Sequence, residues 1–329
     1  MPQLVGKEIG STGYGLMGLT WRPQPQPKEA SFKAMKAALE AGCNFWNGGE
    51  LYGTADFNSL HLLEEYFTKY PEDAEKVVLS IKGGLNNMMP DGSPEGVRKS
   101  MDNCLKILNG KKSLDIFEYA RVDPKVPIET TLKTLDEEYV KTGKLGAIGL
   151  SEVSAATIER AIKVTKIAAV EVEVSLWSMD IFQNGVAETC AKHGIPIAAY
   201  SPIGRGMLSG EIKKPEDIPE GDFRRHMPRF QPGTFDKNLE LVKELEKIAK
   251  QKGCTPAQLA IGWVKHFSEK DGNPTIIPIP GATTEARISE NSKDVSLTTQ
   301  EEAEINEILK SFPIEGGRYG GPGAQLMNG

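Results

Sequence analysis

The sequence has few cysteines, no long apolar run and no excess of charge of either sign. Its four cysteines lie far apart in 329 residues and form no CxxC pair, which argues against a disulfide scaffold and a metal cluster. No apolar run approaches the ~20 residues that span a bilayer, and the N-terminal segment lacks the apolar core of a signal peptide. The 39 basic residues nearly balance the 45 acidic ones, which argues against nucleic acid or anionic membrane as a partner. We therefore expect a cytoplasmic protein, with the nucleus as a further location, that binds neither nucleic acid, membrane nor metal.

Several familiar catalytic and nucleotide-binding motifs are also missing. The sequence has no GxxxxGK[ST] loop, no HExxH helix and no Ser/His/Asp order. Gly13, Gly15 and Gly18 spell GxGxxG, but prolines follow from Pro23 onward, where a dinucleotide fingerprint needs a helix. This pattern favours a strand and a substrate-side loop over a Rossmann dehydrogenase.

A regular alternation of short apolar runs and segments with helical spacing fills the chain. Near-continuous apolar strands are typical of a parallel sheet covered by helices. Eight such units predict an α/β protein with a single (β/α)8 barrel domain over 1–329 and an active site at the C-terminal face of the strands. The predicted strands lie in the runs 13–19, 43–47, 77–82, 114–120, 145–151, 168–175, 195–201 and 275–280.

The segments outside this alternation carry their own signals. Pro127 is expected to open a helix, and Thr299 to begin the last one, with Glu302 completing a capping box. The Gly/Pro-rich segment 203–236 is expected to form a functional loop over the barrel mouth, with a plain surface insertion as the alternative. The glycine-rich tail 312–329 should be mobile unless a ligand or partner holds it.

The predicted strand ends carry five characteristic strings in order. They are 46-WNGGELYG-53, Lys82 before two glycines, 149-GLSE-152, 199-AYSPIGRG-206 and 277-IPIPGATTEARISEN-291. Together they resemble the aldo-keto reductase superfamily over nearly the whole chain. The strings 12-TGYGLMGLTWRP-23, 118-EYARVD-123 and 172-VEVSLW-177 make it similar to the fungal pyridoxal reductases. The resemblance implies NADPH-dependent reduction of pyridoxal, a small-molecule aldehyde, to pyridoxine.

The resemblance also implies a catalytic set of Tyr52, Lys82 and Asn47, with Tyr52 as proton donor. A phenol of pKa ~10 donates poorly unless a nearby cation favours its ionised form, and Lys82 supplies that cation. Asn47 stands where the family has an acidic residue that would partly cancel this field. We therefore expect Tyr52 to have a more depressed pKa than in relatives with aspartate. Ala120 replaces the family's histidine and leaves a space for water or for a substituted pyridine ring.

Cofactor and substrate positions follow from the same resemblance. Tyr200 is expected to stack on the nicotinamide and Ser151 to bind its carboxamide, while Glu152 and Glu171 replace the usual Asn and Gln. Arg287 is expected to hold the 2'-phosphate, which favours NADPH over NADH. The other cofactor candidates are Leu16, Met17, Ser201, Ile203, Arg205, Gly281, Thr283, Glu290 and Asn291, and the substrate candidates are Trp21, Ala120 and Phe230.

Two alternative functions stay open at this level. One is a broad-specificity aldehyde reductase, and the other is a non-catalytic NADPH-sensing regulatory subunit, like the potassium-channel β subunits of the same superfamily. The two replaced catalytic positions favour the sensor, whereas the presence of both Tyr52 and Lys82 favours the enzyme. The sequence predicts no oligomeric state.

Overall fold

The computed structural model describes residues 2–329, and within them eight parallel strands follow one another around a single sheet in chain order. The sheet closes on itself, because the Gly13 amide donates to the Pro278 carbonyl at 2.9 Å and the Gly15 amide to that of Pro280 at 3.1 Å. The predicted (β/α)8 barrel is thereby confirmed. The strands are β1 (Tyr14–Gly15), β2 (Phe45–Gly49), β3 (Val78–Gly83), β4 (Leu114–Tyr119), β5 (Leu145–Ser151), β6 (Ile167–Glu173), β7 (Ile197–Tyr200) and β8 (Ile276–Pro278).

Two glycines of the GxGxxG pattern serve the seam of the barrel. A Cβ on Gly13 would lie 2.8 Å from the Phe45 carbonyl oxygen, and a Cβ on Gly15 would lie 2.9 Å from that of Ile279. Only glycine permits such a close approach of neighbouring strands. The strand is shorter than the predicted run 13–19, because helix α1 (Met17–Thr20) begins directly after it.

The barrel interior changes from apolar to polar along the strands. Side chains alternate across each strand, so inward-facing residues recur at every second position. The lower interior is a cluster of apolar side chains: Leu4, Ile9, Phe45, Val78, Ile116, Ala169, Ala198, Ile277 and Ile279. Two positions further along four strands, the inward-facing residues are the polar Asn47, Ser80, Glu118 and Glu171. The polar upper interior lies toward the carboxyl ends of the strands, where barrel enzymes have their active sites.

Helices with one apolar face cover the outside of the sheet. Pro127 precedes its helix as N-cap, and the last helix has its capping box at Thr298 and Glu301, one residue earlier than predicted. Within residues 2–329 no helix is both long and apolar enough to cross a lipid bilayer. The remaining helices are α2 (Lys28–Glu40), α3 (Ser59–Lys69), α4 (Pro94–Leu108), α5 (Ile128–Leu135, continued by a π turn over Asp136–Val140), α6 (Ala155–Ala161), α7 (Val186–Lys192), α8 (Thr234–Lys252), α9 (Pro256–His266), α10 (Glu285–Ser292), α11 (Thr299–Ser311) and α12 (Pro322–Gln325).

Small elements complete the chain. Two antiparallel hairpins lie outside the barrel sheet, one near the N-terminus and one after β3. The segment 203–236, which we call the mouth loop, is built largely of short 3-10 turns before α8 begins. The hairpins are Gln3–Leu4 with Lys7–Glu8 and Leu85–Asn86 with Met89–Pro90, and the 3-10 turns are Pro71–Asp73, Asp180–Phe182, Gly204–Ser209, Pro215–Asp217, Phe223–His226 and Pro228–Phe230.

The C-terminal tail, 312–329, is held by the chain itself. The Arg318 guanidinium forms two hydrogen bonds to the Glu152 carboxylate, at 2.8 and 3.0 Å. The Tyr319 hydroxyl lies 2.9 Å from that of Tyr200, and the Gly329 carbonyl accepts a hydrogen bond from the Ser154 amide. The tail therefore crosses the mouth of the barrel next to the ends of β5 and β7.

Candidate active site

Tyr52 lies at the mouth of the barrel, just after the end of β2. Its ring packs so closely on Gly49 that a Cβ there would lie 2.9 Å from the ring carbon Cδ2. Trp21 stacks on Tyr52 with 5.6 Å between ring centroids, and Phe223 of the mouth loop stacks on Trp21 at 6.1 Å. These three rings, Tyr52, Trp21 and Phe223, form an aromatic wall at one side of the mouth.

Lys82 projects into the upper interior from β3 and is 4% exposed. Its Nζ donates to Asn47 Oδ1 at 2.9 Å and to Glu118 Oε1 at 3.3 Å, and it also contacts Glu171 Oε2. Burial alone would lower the pKa of Lys82, but the two carboxylates outweigh burial and raise this pKa well above its usual value. The side chain is therefore a permanent cation, and its Nζ lies 5.8 Å from the centre of the Tyr52 ring.

The field of Lys82 does not decide the pKa of Tyr52 alone. Burial has the largest effect and raises this pKa, Lys82 lowers it, and Glu171 and Glu118 raise it again, to about 12. The pKa of Tyr52 is therefore not depressed below that of a free phenol, and the comparison with relatives that carry aspartate at position 47 stays a prediction. The negative charge that is missing at Asn47 is supplied from β4 and β6 instead.

Asn47 joins these two carboxylates to Lys82. Its Nδ2 donates to Glu171 Oε2 at 2.5 Å and to Glu118 Oε1 at 3.2 Å. We call Asn47, Lys82, Glu118 and Glu171 the interior ionic cluster. Sequence reasoning missed Glu118 and placed Glu171 against the carboxamide. The available signal was a glutamate at an inward position of an apolar strand, because a buried carboxylate requires a cation or hydrogen-bond donors.

The two residues that close β5 and follow it differ sharply in their surroundings. The Ser151 hydroxyl is buried and has no hydrogen-bond partner within residues 2–329. Buried polar groups normally have a partner, so this hydroxyl is available to bind a ligand. Glu152, by contrast, is fully occupied by Arg318 and by the Tyr200 hydroxyl at 2.9 Å. Burial would raise the pKa of Glu152, but Arg318 lowers it below its usual value. Ser151 is therefore able to bind the carboxamide of a nicotinamide, whereas Glu152 is already paired with Arg318 and Tyr200.

The segment after β7 makes an irregular turn beside the tail. Ser201 and Arg205 both have left-handed backbone conformations, with φ of 53° and 57°. The Ile203 carbonyl accepts a hydrogen bond from the Gly206 amide within this turn. The Arg205 guanidinium pairs with Glu173 at 2.7 Å and lies 4.8 Å from the centre of the Tyr319 ring. Arg205 therefore lies at the barrel mouth and is paired with the Glu173 carboxylate, which an anionic ligand could replace.

The predicted adenine end of the cofactor site lies around the start of α10. The Arg287 guanidinium contacts Glu211 of the mouth loop and Glu290 one turn further along its own helix. Gly281 is bridged to Gly15 across the barrel seam. Arg287 is partly exposed, so a phosphate could compete with its present carboxylate partners. The other predicted residues here are Thr283, which is partly exposed, and Asn291, which is buried.

The remaining predicted residues fall at different depths. Leu16 is buried and its amide bonds to the Asn47 carbonyl at 2.8 Å, while Met17 is partly exposed at the start of α1. Ala120 is 3% exposed and follows β4 at the mouth. Phe230, predicted to contact substrate, is instead 3% exposed and packs against Trp177 at 5.7 Å. The mouth loop presents Phe223 to the aromatic wall in its place.

The site residues fit a nicotinamide dinucleotide. Ser151 at the end of β5 has a buried hydroxyl that finds no partner among residues 2–329, and Arg205 after β7 and Arg287 of α10 pair with carboxylates that phosphate groups could replace. The aldo/keto reductase family model matches residues 12–310. A Schizosaccharomyces pombe protein named "Probable pyridoxal reductase 2" is 44% identical over 328 residues, covering 97% of each chain. A Saccharomyces cerevisiae protein with pyridoxal reductase in its name is 40% identical over 337 residues, covering 94% of this chain and 95% of the other.

A solved structure shares the fold at lower identity. It is a glycerol dehydrogenase of Gluconobacter oxydans, with a TM-score of 0.81 and 23% identity over 95% of this chain and 96% of the other. The similarity to this structure shows the barrel fold alone. The matches to the family model and to the fungal relatives also include the residues at the strand ends. The chain belongs to the aldo/keto reductase family, whose members are oxidoreductases that use NAD(P)H.

Proposed function

We propose that the chain reduces pyridoxal to pyridoxine with NADPH, converting an aldehyde to a primary alcohol. The observation that carries this proposal is the buried, permanently charged Lys82 beside the ring of Tyr52 at the barrel mouth. An acid and a cation that stabilises its conjugate base are the minimum that carbonyl reduction requires of the protein. The names of the two fungal relatives support pyridoxal as the aldehyde.

The residues divide the reaction between them. NADPH, when bound, supplies a hydride to the carbonyl carbon. Tyr52 gives its hydroxyl proton to the carbonyl oxygen, so the C=O group gains one hydrogen at each end and becomes an alcohol. A phenol with a pKa of about 12 is still a stronger acid than an alcohol, so the transfer is favourable once negative charge develops on the substrate oxygen. Lys82 stabilises the phenolate left behind, and a proton from water restores the hydroxyl.

The mouth of the barrel favours an aromatic aldehyde. In the aromatic wall Trp21 stacks on the Tyr52 ring and Phe223 stacks on Trp21, both rings are partly exposed, and a flat substrate ring can extend such a stack. Ala120 is a small residue at the end of β4, where a histidine would narrow the mouth. Both features support a substituted pyridine ring over a short aliphatic aldehyde.

Arg287 supports NADPH as the cofactor. Its planar guanidinium contacts two different carboxylates here through its two terminal nitrogens, and the same two nitrogens can donate two parallel hydrogen bonds to a 2'-phosphate. Ser151 would hold the carboxamide and Tyr200 would face the nicotinamide ring. Tyr200 now shares its hydroxyl with Glu152 and Tyr319, so the tail is a neighbour of the cofactor site.

The test is a comparison of pyridoxal, benzaldehyde and glyoxal with the purified protein and NADPH, followed by the loss of NADPH absorbance. We expect the highest kcat/KM with pyridoxal and a lower value with glyoxal, which has no ring to stack. Tight NADPH binding without turnover of any of the three aldehydes would contradict the proposal and favour a cofactor sensor. Equal kcat/KM values for all three would favour a broad-specificity aldehyde reductase.

A further inference from the structure

The Lys82 ammonium has no hydrogen left to donate to Tyr52. An ammonium carries three N–H donors, and those of Lys82 point to Asn47 Oδ1, Glu118 Oε1 and Glu171 Oε2. No hydrogen bond joins the Lys82 ammonium to the Tyr52 hydroxyl in the chain from residue 2 to 329. Lys82 therefore acts on Tyr52 through its field, and the groups that fix and balance that field become as important as the lysine.

Those groups come from strands that do not carry Tyr52 or Lys82. Glu118 lies on β4 and Glu171 on β6, and each is 2% exposed or less. Asn47 stands between them and contributes an amide, whereas the other three members of the interior ionic cluster are ionisable. Because its Nδ2 donates to both carboxylates, a carboxylate at this position would keep the hydrogen bond from Lys82 but would lose both of these donations.

We propose that Glu118 and Glu171 are positioning residues for the reaction, taking over from β4 and β6 the role that an acidic residue at position 47 would have. They hold Lys82 in place and set the size of its field at Tyr52. The inference rests on the proposed function for its kinetic consequence, but its effect on the Tyr52 hydroxyl is measurable without any turnover.

The charges of the cluster add a pH dependence to this role. The groups facing Glu171 are Lys82 on β3, Glu118 on β4 and the Asn47 amide on β2, so two carboxyl groups share one cation. Burial first, and then the neighbouring Glu118, raise the pKa of Glu171 well above its usual value. Glu171 therefore holds its proton to a higher pH than a free glutamate would. Loss of this proton as the pH rises adds a negative charge next to Lys82 and weakens its field at Tyr52.

The direct test is the ionisation of Tyr52, followed by NMR in protein labelled with ¹³C at the tyrosine Cζ and assigned by difference with Tyr52→Phe. With a pKa of about 12, roughly a tenth of Tyr52 is ionised at pH ~11 in the wild type. Glu171→Gln keeps the shape of the side chain and removes one negative charge, so its Tyr52 pKa should fall by about one unit, to roughly half ionised at that pH. Glu118→Gln should shift it in the same direction.

Glu173→Gln is the matched control, because Glu173 lies two residues further on β6 but pairs with Arg205. It should leave the Tyr52 titration unchanged. In the pH profile of kcat, the alkaline decline should move in Glu171→Gln and stay in place in Glu173→Gln. An unchanged Tyr52 titration in both Glu171→Gln and Glu118→Gln, with folded protein in each case, would overturn the proposal. A shifted titration in a protein that turns over no aldehyde would instead contradict only the proposed function.

Discussion

Replacing Asn47 with aspartate, the kind of residue that the family has at this position, should destabilise this chain. The Asn47 Nδ2 group donates to Glu171 at 2.5 Å and to Glu118 at 3.2 Å, and a carboxylate would lose both hydrogen bonds. It would also bring a third carboxyl group into a cluster with one cation. The substitution therefore tests whether the carboxylates of β4 and β6 have replaced the missing acidic residue.

The magnitude follows from the charges around Asn47. At an effective dielectric constant of ~20, attraction to Lys82 at 2.9 Å is about 6 kcal/mol, and repulsion from Glu118 at 3.2 Å, about 5 kcal/mol, nearly cancels it before the closer Glu171 is counted. Two unfavourable contributions remain: the new charge loses its hydration, and Glu118 and Glu171 lose the hydrogen bonds that Asn47 donated. Protonation of the aspartate removes the charge and its loss of hydration. At pH 7, protonating a group with an ordinary pKa of ~3.9 requires about 4 kcal/mol. We therefore expect a loss of about 4 kcal/mol at pH 7.

The sign of the pH dependence is fixed by the same argument. The pKa of the new aspartate is raised in the folded state, so the loss of stability is full above the folded pKa and shrinks as the pH falls toward the unfolded value. Proton uptake costs only about 1.5 kcal/mol at pH 5. The deficit should therefore shrink by about 1.4 kcal/mol per pH unit.

Urea unfolding of wild type and Asn47→Asp at pH 7, 6 and 5 measures this difference. Asn47→Ala is the control, because it also removes both donors but adds no charge, so its deficit should not follow the same slope. A deficit below about 1 kcal/mol at pH 7, or one that is the same at pH 7 and pH 5, would refute the reasoning.

Three further changes test other parts of the site. Arg287→Ala should raise the KM for NADPH by about tenfold and hardly change that for NADH, since only NADPH carries the 2'-phosphate; parallel changes would contradict this role. Ala120→His should reduce kcat/KM for pyridoxal more than for glyoxal, because it fills space needed by a ring, and equal losses would count against that reading. Arg318→Ala leaves the buried Glu152 carboxylate without its bidentate partner and should lower the free energy of unfolding by about 3 kcal/mol at pH 7, whereas Lys310→Ala, which removes an exposed pair with Glu307, should change it by less than about 0.5 kcal/mol. Equal small effects of these two substitutions in urea unfolding would exclude a stabilising role for the tail contact.

The barrel was predictable because local pattern and topology agree. Apolar runs separated by helical spacing leave few arrangements other than a parallel barrel, and the order of the strand-end strings then places Tyr52 and Lys82 on neighbouring strands. The aromatic partner of Trp21 was harder, because a 3-10 turn in the mouth loop presents Phe223 and buries Phe230. Loop geometry of this kind depends on contacts that no short-range pattern encodes.

The charge balance of the site could not be derived from spacing at all. Glu118 and Glu171 lie far apart in the sequence and meet only because β4 and β6 both face the barrel interior. The alternation of residues along one strand indicates that its glutamate points inward, but it does not indicate which cation that glutamate contacts. The glycine-rich tail is a similar case, since Arg318 binds the carboxylate of Glu152, which lies 166 residues earlier in the chain.

The central claim is that Tyr52 is the proton donor in a reduction supported by Lys82. Its most direct test is single-turnover consumption of NADPH by pyridoxal in wild type and Tyr52→Phe, with NADPH affinity measured alongside. We predict a rate at least about 100-fold lower in Tyr52→Phe, with little change in NADPH affinity. A Tyr52→Phe variant that reduces pyridoxal as fast as the wild type would contradict the account.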